Sequence, residues 1–329
     1  MSTTKAKKKI IVFSIVRAVL LLLIGAICIY YFGASYDFYN HVQVEAKTPG
    51  LDDGFVPQGM CVVDNADAYL VSGYMKDTSM PSRIYYVNKT TGESKYVTMN
   101  AADEKMCKGH FGGIAMQGNS VWLVSDGYLF YFSLTDIASA ENASSLVFDG
   151  CFNVGIDTAF CYAKDSKLYV GEFYRAGNYE VDQSHYVTSQ TGQVNHAIMA
   201  VYEINEASIY GLKSTVPTMA VSIPDQVQGF CISASGKYIF STSYSLPDSI
   251  IYLFNKPIDA GKTVTINDNQ IPVYAVFNEQ LQKTIIAPCM AEGIDYDNGR
   301  VHIVFENACA KYKLFTRVRE TNILSFEVE

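Results

Sequence analysis

Five times along the chain a short apolar strand opens on a small residue, passes a polar turn and returns as a second strand. The first copy is Pro57-Gln58-Gly59-Met60-Cys61-Val62-Val63 followed by Ala68-Tyr69-Leu70-Val71-Ser72-Gly73-Tyr74. The others start at Gly112-Gly113-Ile114, Thr158-Ala159-Phe160, Gln228-Gly229-Phe230 and Glu292-Gly293-Ile294. Their turns, such as Gly118-Asn119-Ser120 and Asp297-Asn298-Gly299, carry the residues that hairpins require. Hairpins recurring at roughly 45–70 residues indicate an array of small sheets, and the period suits propeller blades. The pattern predicts an all-β, five-bladed β-propeller. A six-bladed ring is the alternative, but no sixth copy of the phrase is present.

The alternating segments after each hairpin predict the outer strands. Arg83–Val87 and Lys95–Val97 complete blade one, and Tyr128–Phe132 with Ser145–Val147 complete blade two. Blade three resumes after a polar insertion, Arg175 to His196, with Ala200–Glu203 and Met219–Val221. Blade four takes Ile250–Phe254 and Val273–Val276. Blade five reaches its third strand at Ile323–Val328, where the sequence ends. The missing fourth strand is expected from an alternating N-terminal piece near residues 41–46, which would close the ring and cover its last free edge.

The beginning of the chain has a different pattern. From Ile10 to Phe32 it is apolar except for Ser14 and Arg17, and the stretch from Ala18 to Ser35 is uninterrupted. About 18 apolar residues approach the length needed to cross a bilayer. This predicts a basic cytoplasmic tail (1–9), a transmembrane anchor (10–35) and an extracytoplasmic propeller (36–329), with the membrane as a partner. Lys5, Lys7, Lys8 and Lys9 orient the N-terminus inward, and Tyr30, Tyr31 and Phe32 would form the far aromatic belt. A signal peptide cleaved at Gly33-Ala34-Ser35 is the alternative.

Charge and cysteines narrow the function. The first 35 residues hold five bases and no acid, which leaves 20 basic residues against 33 acidic ones in the rest. That balance excludes nucleic acid as a partner, since phosphate binding needs a basic footprint. Of the eight cysteines, Cys61, Cys161 and Cys231 occupy equivalent inner-strand positions and read as buried apolar residues. Cys107, Cys151, Cys289 and Cys309 lie outside that register; sequence alone does not fix their pairing, and a Cys289–Cys309 bridge that clips the last hairpin in an oxidising compartment is one option. No Cys-x-x-Cys spacing points to zinc, and no serine elbow, phosphate loop or dinucleotide fingerprint is present.

In a propeller blade the start of the first strand and the second-to-third loop share one face. That face gathers Gln58, His110, Asp157, Thr158, Gln228 and Glu292, together with Tyr74, Asp126, Glu172, Tyr244 and Glu306 from the ends of second strands. The long loops lie above it, and the opposite turns are short, so recognition belongs to the decorated face. Expected ligands are a small molecule, a glycan or a protein. Tyr74 and Tyr244 are the candidates for stacking on a sugar or peptide. The plainer reading of the acids is a solvated channel mouth with a negative field.

Pro57-Gln58-Gly59 and Ala291-Glu292-Gly293-Ile294 resemble the Pro-Glu-Gly-Ile phrase that opens inner strands in gluconolactonase, strictosidine synthase and paraoxonase-like propellers. In metal-dependent members an acid at that position binds calcium or another divalent ion, and the resemblance carries this role to Glu292. It implies a lactonase-like or glycan-acting hydrolase centred on Glu292, with His110 as an assisting base. The chain departs from the pattern in having one acid among its five equivalent positions, whereas a hard cation wants about six oxygen ligands. No cofactor is therefore expected, with calcium as the alternative. Ligand binding without chemistry is the leading reading, and hydrolysis the second.

Overall fold

The computed structural model describes residues 2–32, 35–63, 66–100 and 107–328. A helix, Ser2–Phe32, precedes a ring of five blades. Within it Ile11–Cys28 is long and apolar enough to cross a membrane, and none of it is buried against the propeller. Gly33 and Ala34 of the alternative cleavage site lie outside the described residues, as do the side chains of Tyr30, Tyr31, Phe32 and the four N-terminal lysines.

The inner strands are Phe55–Val62, Gly113–Gln117, Thr158–Lys164, Val227–Ile232 and Ala291–Asp297. Each packs against the next and the fifth against the first, so the ring closes. Every inner strand pairs antiparallel with the strand that follows its turn. The fourth strand of blade five comes from the other end of the domain: Val42–Lys47 pairs antiparallel with Asn322–Glu327, Val42 opposite Phe326. Just before it, Phe38 is buried as a wedge, its ring 6.2 Å from Phe305 and 5.3 Å from Phe326.

Two outer strands correct the sequence reading. Ser144–Val147 does not complete blade two; it pairs in parallel with Ser94–Asn100, the outer strand of blade one, and Gly150–Asn153 takes the fourth place in blade two. Likewise Asn269–Ala275 does not complete blade four. With Ile258–Ile266 it forms a hairpin that docks in parallel on Met219–Ile223 of blade three, and Leu281–Ala287 becomes blade four's outer strand. Both displaced segments cover a neighbour's exposed edge, where backbone groups would otherwise stand unpaired. Their alternation is equally suited to either blade, so local pattern does not choose between them. The eight cysteines are all free thiols, Cys289 and Cys309 included, so no disulfide clips the last hairpin.

In four of the five phrases, all but the third with its Phe160, the glycine has a steric cause. A Cβ added at Gly59 would lie 2.7 Å from Gly113 Cα, one at Gly113 would lie 2.4 Å from Cys161 N, and one at Gly229 would lie 2.8 Å from Ile294 N. A Cβ at Gly293 would lie 2.5 Å from Met60 N. At this level neighbouring inner strands meet backbone to backbone around a small residual cavity. The result is a collar.

Candidate functional site

Above the collar the ring opens into a funnel of about 690 Å³ on the face that carries the long loops. Its floor is formed by the residues directly preceding the collar: Gln58, Gly112, Ala159, Gln228 and Glu292. In four of the five inner strands the pairing register shifts at this point, between Pro57 and Gly59, Thr158 and Phe160, Val227 and Gly229, and Ala291 and Ile294. Such bulges leave a residue outside the ladder and re-aim its side chain. Gln58, Gln228 and Glu292 are turned into the funnel in this way. Met290, Ser245 and Asp126, which also line it, hold left-handed backbone with φ of 60°, 61° and 51°. Non-glycine residues rarely adopt that conformation, and it concentrates at sites where side-chain placement matters.

Of the sequence-predicted residues, Gln58, Tyr74, His110, Asp126, Asp157, Thr158, Gln228, Tyr244, Glu292 and Glu306 all line the funnel. Glu172 does not. It is buried beneath the insertion, where its carboxylate meets His185 Nδ1 at 2.9 Å and accepts from the backbone N–H of Ile198 at 3.0 Å. Its role is to fasten the Arg175–His196 insertion to blade three, because a buried carboxylate needs such partners.

Two carboxyls dominate the floor. Gln58 Nε2 donates to Glu306 Oε2 at 2.9 Å. Burial pushes the Glu306 carboxyl up to about 8, although Lys311 and the Gln58 hydrogen bond pull against it. Glu292 is raised well above its ordinary value by burial, and then by the charges of Glu306 and Cys309. Burial and their mutual charge thus hold both carboxyls toward the protonated form. His110 stacks against Tyr74 at 4.3 Å at an exposed position, and desolvation, with Lys311, lowers its pKa against the pull of Asp126.

Aromatic walls rise on two sides. Phe173, Tyr179 and Tyr244 form one, with ring centroids 5.3–6.3 Å apart, and the Arg175 guanidinium lies 3.7 Å over the Tyr244 ring. Tyr74, Tyr312 and Phe315 form the other, where Lys311 Nζ donates to Tyr74 Oη at 2.7 Å and sits 4.9 Å from the Tyr312 ring. An ion pair between Arg317 and Asp248 joins the Asn307–Glu320 loop to the Ser245–Ser249 loop across the rim. Tyr179, Leu246, Tyr312 and Phe315 were not distinguishable in the sequence from the rest of their loops. The one available signal was Leu314-Phe315, an apolar pair within a run of lysines and arginines.

The residues present do not fit the divalent ion that the resemblance implies. Among the described residues no three His, Cys, Asp or Glu side chains converge as a metal cluster. The carboxyls of Glu292 and Glu306 with the amide of Gln58 fall short of the roughly six oxygen ligands a hard cation takes.

No family model matches the chain, and no curated protein matches its sequence. Solved structures do resemble its backbone. A PQQ-bound aldose sugar dehydrogenase from Streptomyces coelicolor is 12% identical, with 88% of this chain and 98% of that one covered, at a TM-score of 0.45. Glutaminyl cyclase from Myxococcus xanthus is 11% identical over 88% of this chain and 95% of that one, TM-score 0.42. A candidate gluconolactonase is 12% identical over 89% and 96%, TM-score 0.39. The activities these names describe belong to those proteins; what this chain shares with the last is a weak resemblance to gluconolactonase-like propellers.

Proposed function

We propose that this protein is a membrane-tethered binding module that holds a small ligand in the funnel of an extracytoplasmic propeller. The observation that supports it best is the blind cavity. Polar groups turned inward by bulges converge over a collar, beneath aromatic walls, which is how ligand pockets are built. The N-terminal helix supplies the tether, and the lysines before it favour a cytoplasmic N-terminus. A glycan or a protein segment is compatible with the same aromatic rim.

The test is equilibrium dialysis of a metabolite and oligosaccharide library against the full chain in nanodiscs. Ala159 lies on the funnel floor, so Ala159→Leu fills the cavity without touching an acid. A library compound that binds the natural chain and is lost from this variant supports the reading. Retention by the filled variant, or no binder at all, rejects it.

A second reading, hydrolysis, draws on the Glu292–Glu306 pair. A carboxyl raised to about 8 is protonated at neutral pH and has the state a general acid needs. Product formation that Glu292→Gln abolishes, in a folded protein, would favour this reading over simple binding.

A further inference from the structure

The charged residues lining the funnel are acidic, with Arg175 and Lys311 standing on its aromatic walls. The 21 lining residues include four acids, Asp126, Asp157, Glu292 and Glu306, and neither a lysine nor an arginine. One acid carries a second, independent signal. Glu292 is 2% exposed and lines the cavity, yet nothing among the described residues donates a hydrogen bond to its carboxyl. Its oxygens face the cavity, where a ligand can supply the missing donor.

We propose that the funnel selects organic cations: a protonated amine or guanidinium on an aromatic or apolar body, its charge seated at the Glu292–Glu306 side. This rests on the reading of the funnel as a ligand site. The body of such a ligand would lie between the two aromatic walls, whose ring faces attract cations. The rim already demonstrates the preference within the chain. The Arg175 guanidinium stacks on Tyr244 at 3.7 Å, and the Lys311 ammonium lies 4.7 Å from the Tyr74 ring. A seated ammonium would donate to Glu292 and favour its ionised form, the carboxyl proton passing to solvent. Binding is then proton-linked. The groups facing Glu306 are Gln58 and Tyr74 from blade one, Glu292 and Cys289 from blade five, and Cys309, Lys311 and Tyr312 from the loop. Of these only Lys311 favours the ionised form by its charge, so affinity for a cation is expected to rise as pH is raised toward 8 and beyond.

The experiment uses the full chain in nanodiscs and three dansyl probes of matched size. They are dansylcadaverine with a free ammonium, its N-acetyl derivative without charge, and dansyl-6-aminohexanoate with a carboxylate. Fluorescence titration is expected to show saturable binding of the first, and at least about tenfold weaker binding of the other two, as loss of a charge-assisted buried contact requires. Glu292→Gln should weaken dansylcadaverine by about tenfold or more. Should that variant unfold, Asp126→Asn serves instead: the position is exposed and left-handed, and asparagine tolerates that backbone. It should weaken the amine and leave the N-acetyl probe unchanged. Equal binding of all three probes, or preference for the carboxylate, would overturn cation selection while leaving a ligand funnel standing. Absence of binding by any probe overturns it too, and the library dialysis then decides whether the funnel binds anything.

Discussion

A single methyl group on Gly293 measures how tightly the ring is drawn together. The added Cβ would lie 2.5 Å from Met60 N and 2.9 Å from both Gly59 C and Cα. All three are backbone atoms, so no side chain can rotate out of the way, and the strands of blades five and one must part by about 0.5–1 Å to reach ordinary contact. Parting is opposed on the far side, since the space beside Gly59 is already taken by Gly113 Cα and Ile114 N. Overpacking in a fitted core costs about 1–3 kcal/mol, and an all-backbone clash at a ring closure belongs at or above the upper end. The entropic gain of alanine over glycine returns only about 0.5–1 kcal/mol. A net loss of roughly 2–3 kcal/mol is expected, a large part of a typical domain's stability. Trp122 is the sole tryptophan and fully buried in blade two, so its fluorescence reports urea unfolding of the full chain. Gly92→Ala is the control. Its φ is +71° with nothing near the new Cβ, so it carries only the left-handed backbone cost of about 1–2 kcal/mol. If Gly293→Ala unfolds within about 0.5 kcal/mol of the natural chain, the collar is not close-packed and the blind floor of the funnel is wrong.

Two further outcomes follow from buried groups. The Glu306 carboxyl is held at about 8 in the folded chain against an ordinary 4.5, so the native state keeps a proton that the unfolded chain releases between those values. This contribution is complete below about pH 4.5 and lost as pH rises through 8. Its ceiling is about 5 kcal/mol, and the opening of Glu306 to solvent on the funnel side reduces the expectation to about 2–3 kcal/mol. Urea midpoints at pH 5, 6.5 and 8.5 should fall with pH, and Glu306→Gln should flatten that fall; parallel profiles would refute the assignment. Phe38→Ala empties the wedge between Phe305 and Phe326 and should cost about 3 kcal/mol or more by thermal melting of the full chain. A loss under about 1 kcal/mol would mean the segment after the helix contributes nothing to ring closure.

How much of this was legible beforehand differs from residue to residue. The inner-strand phrase carried the blade number, because the glycine in Gln58-Gly59, Gly112-Gly113, Gln228-Gly229 and Glu292-Gly293 is imposed by close backbone contact with the next inner strand. It also carried the face on which the funnel opens, since strand direction follows from hairpin order. Even the closeness of Glu292 and Glu306 was implicit, as the hairpin pairs Ala291 with Phe305. What the sequence did not contain was where interchangeable segments go. Ser144–Val147 and Asn269–Ala275 have the same alternation as a fourth strand, and only the three-dimensional position of a neighbour's bare edge assigns them there. Glu172 resembled the other strand-end acids, yet His185, thirteen residues on and inside an insertion, draws it out of the funnel. The unfilled carboxyl of Glu292 and its raised pKa likewise belong to the folded chain, because bulge geometry and burial, neither of them local in sequence, create both. Sequence by itself determined the repeated unit and the face it presents; tertiary structure decided which edges are covered and which charges are left facing the cavity, since those depend on neighbours far away along the chain.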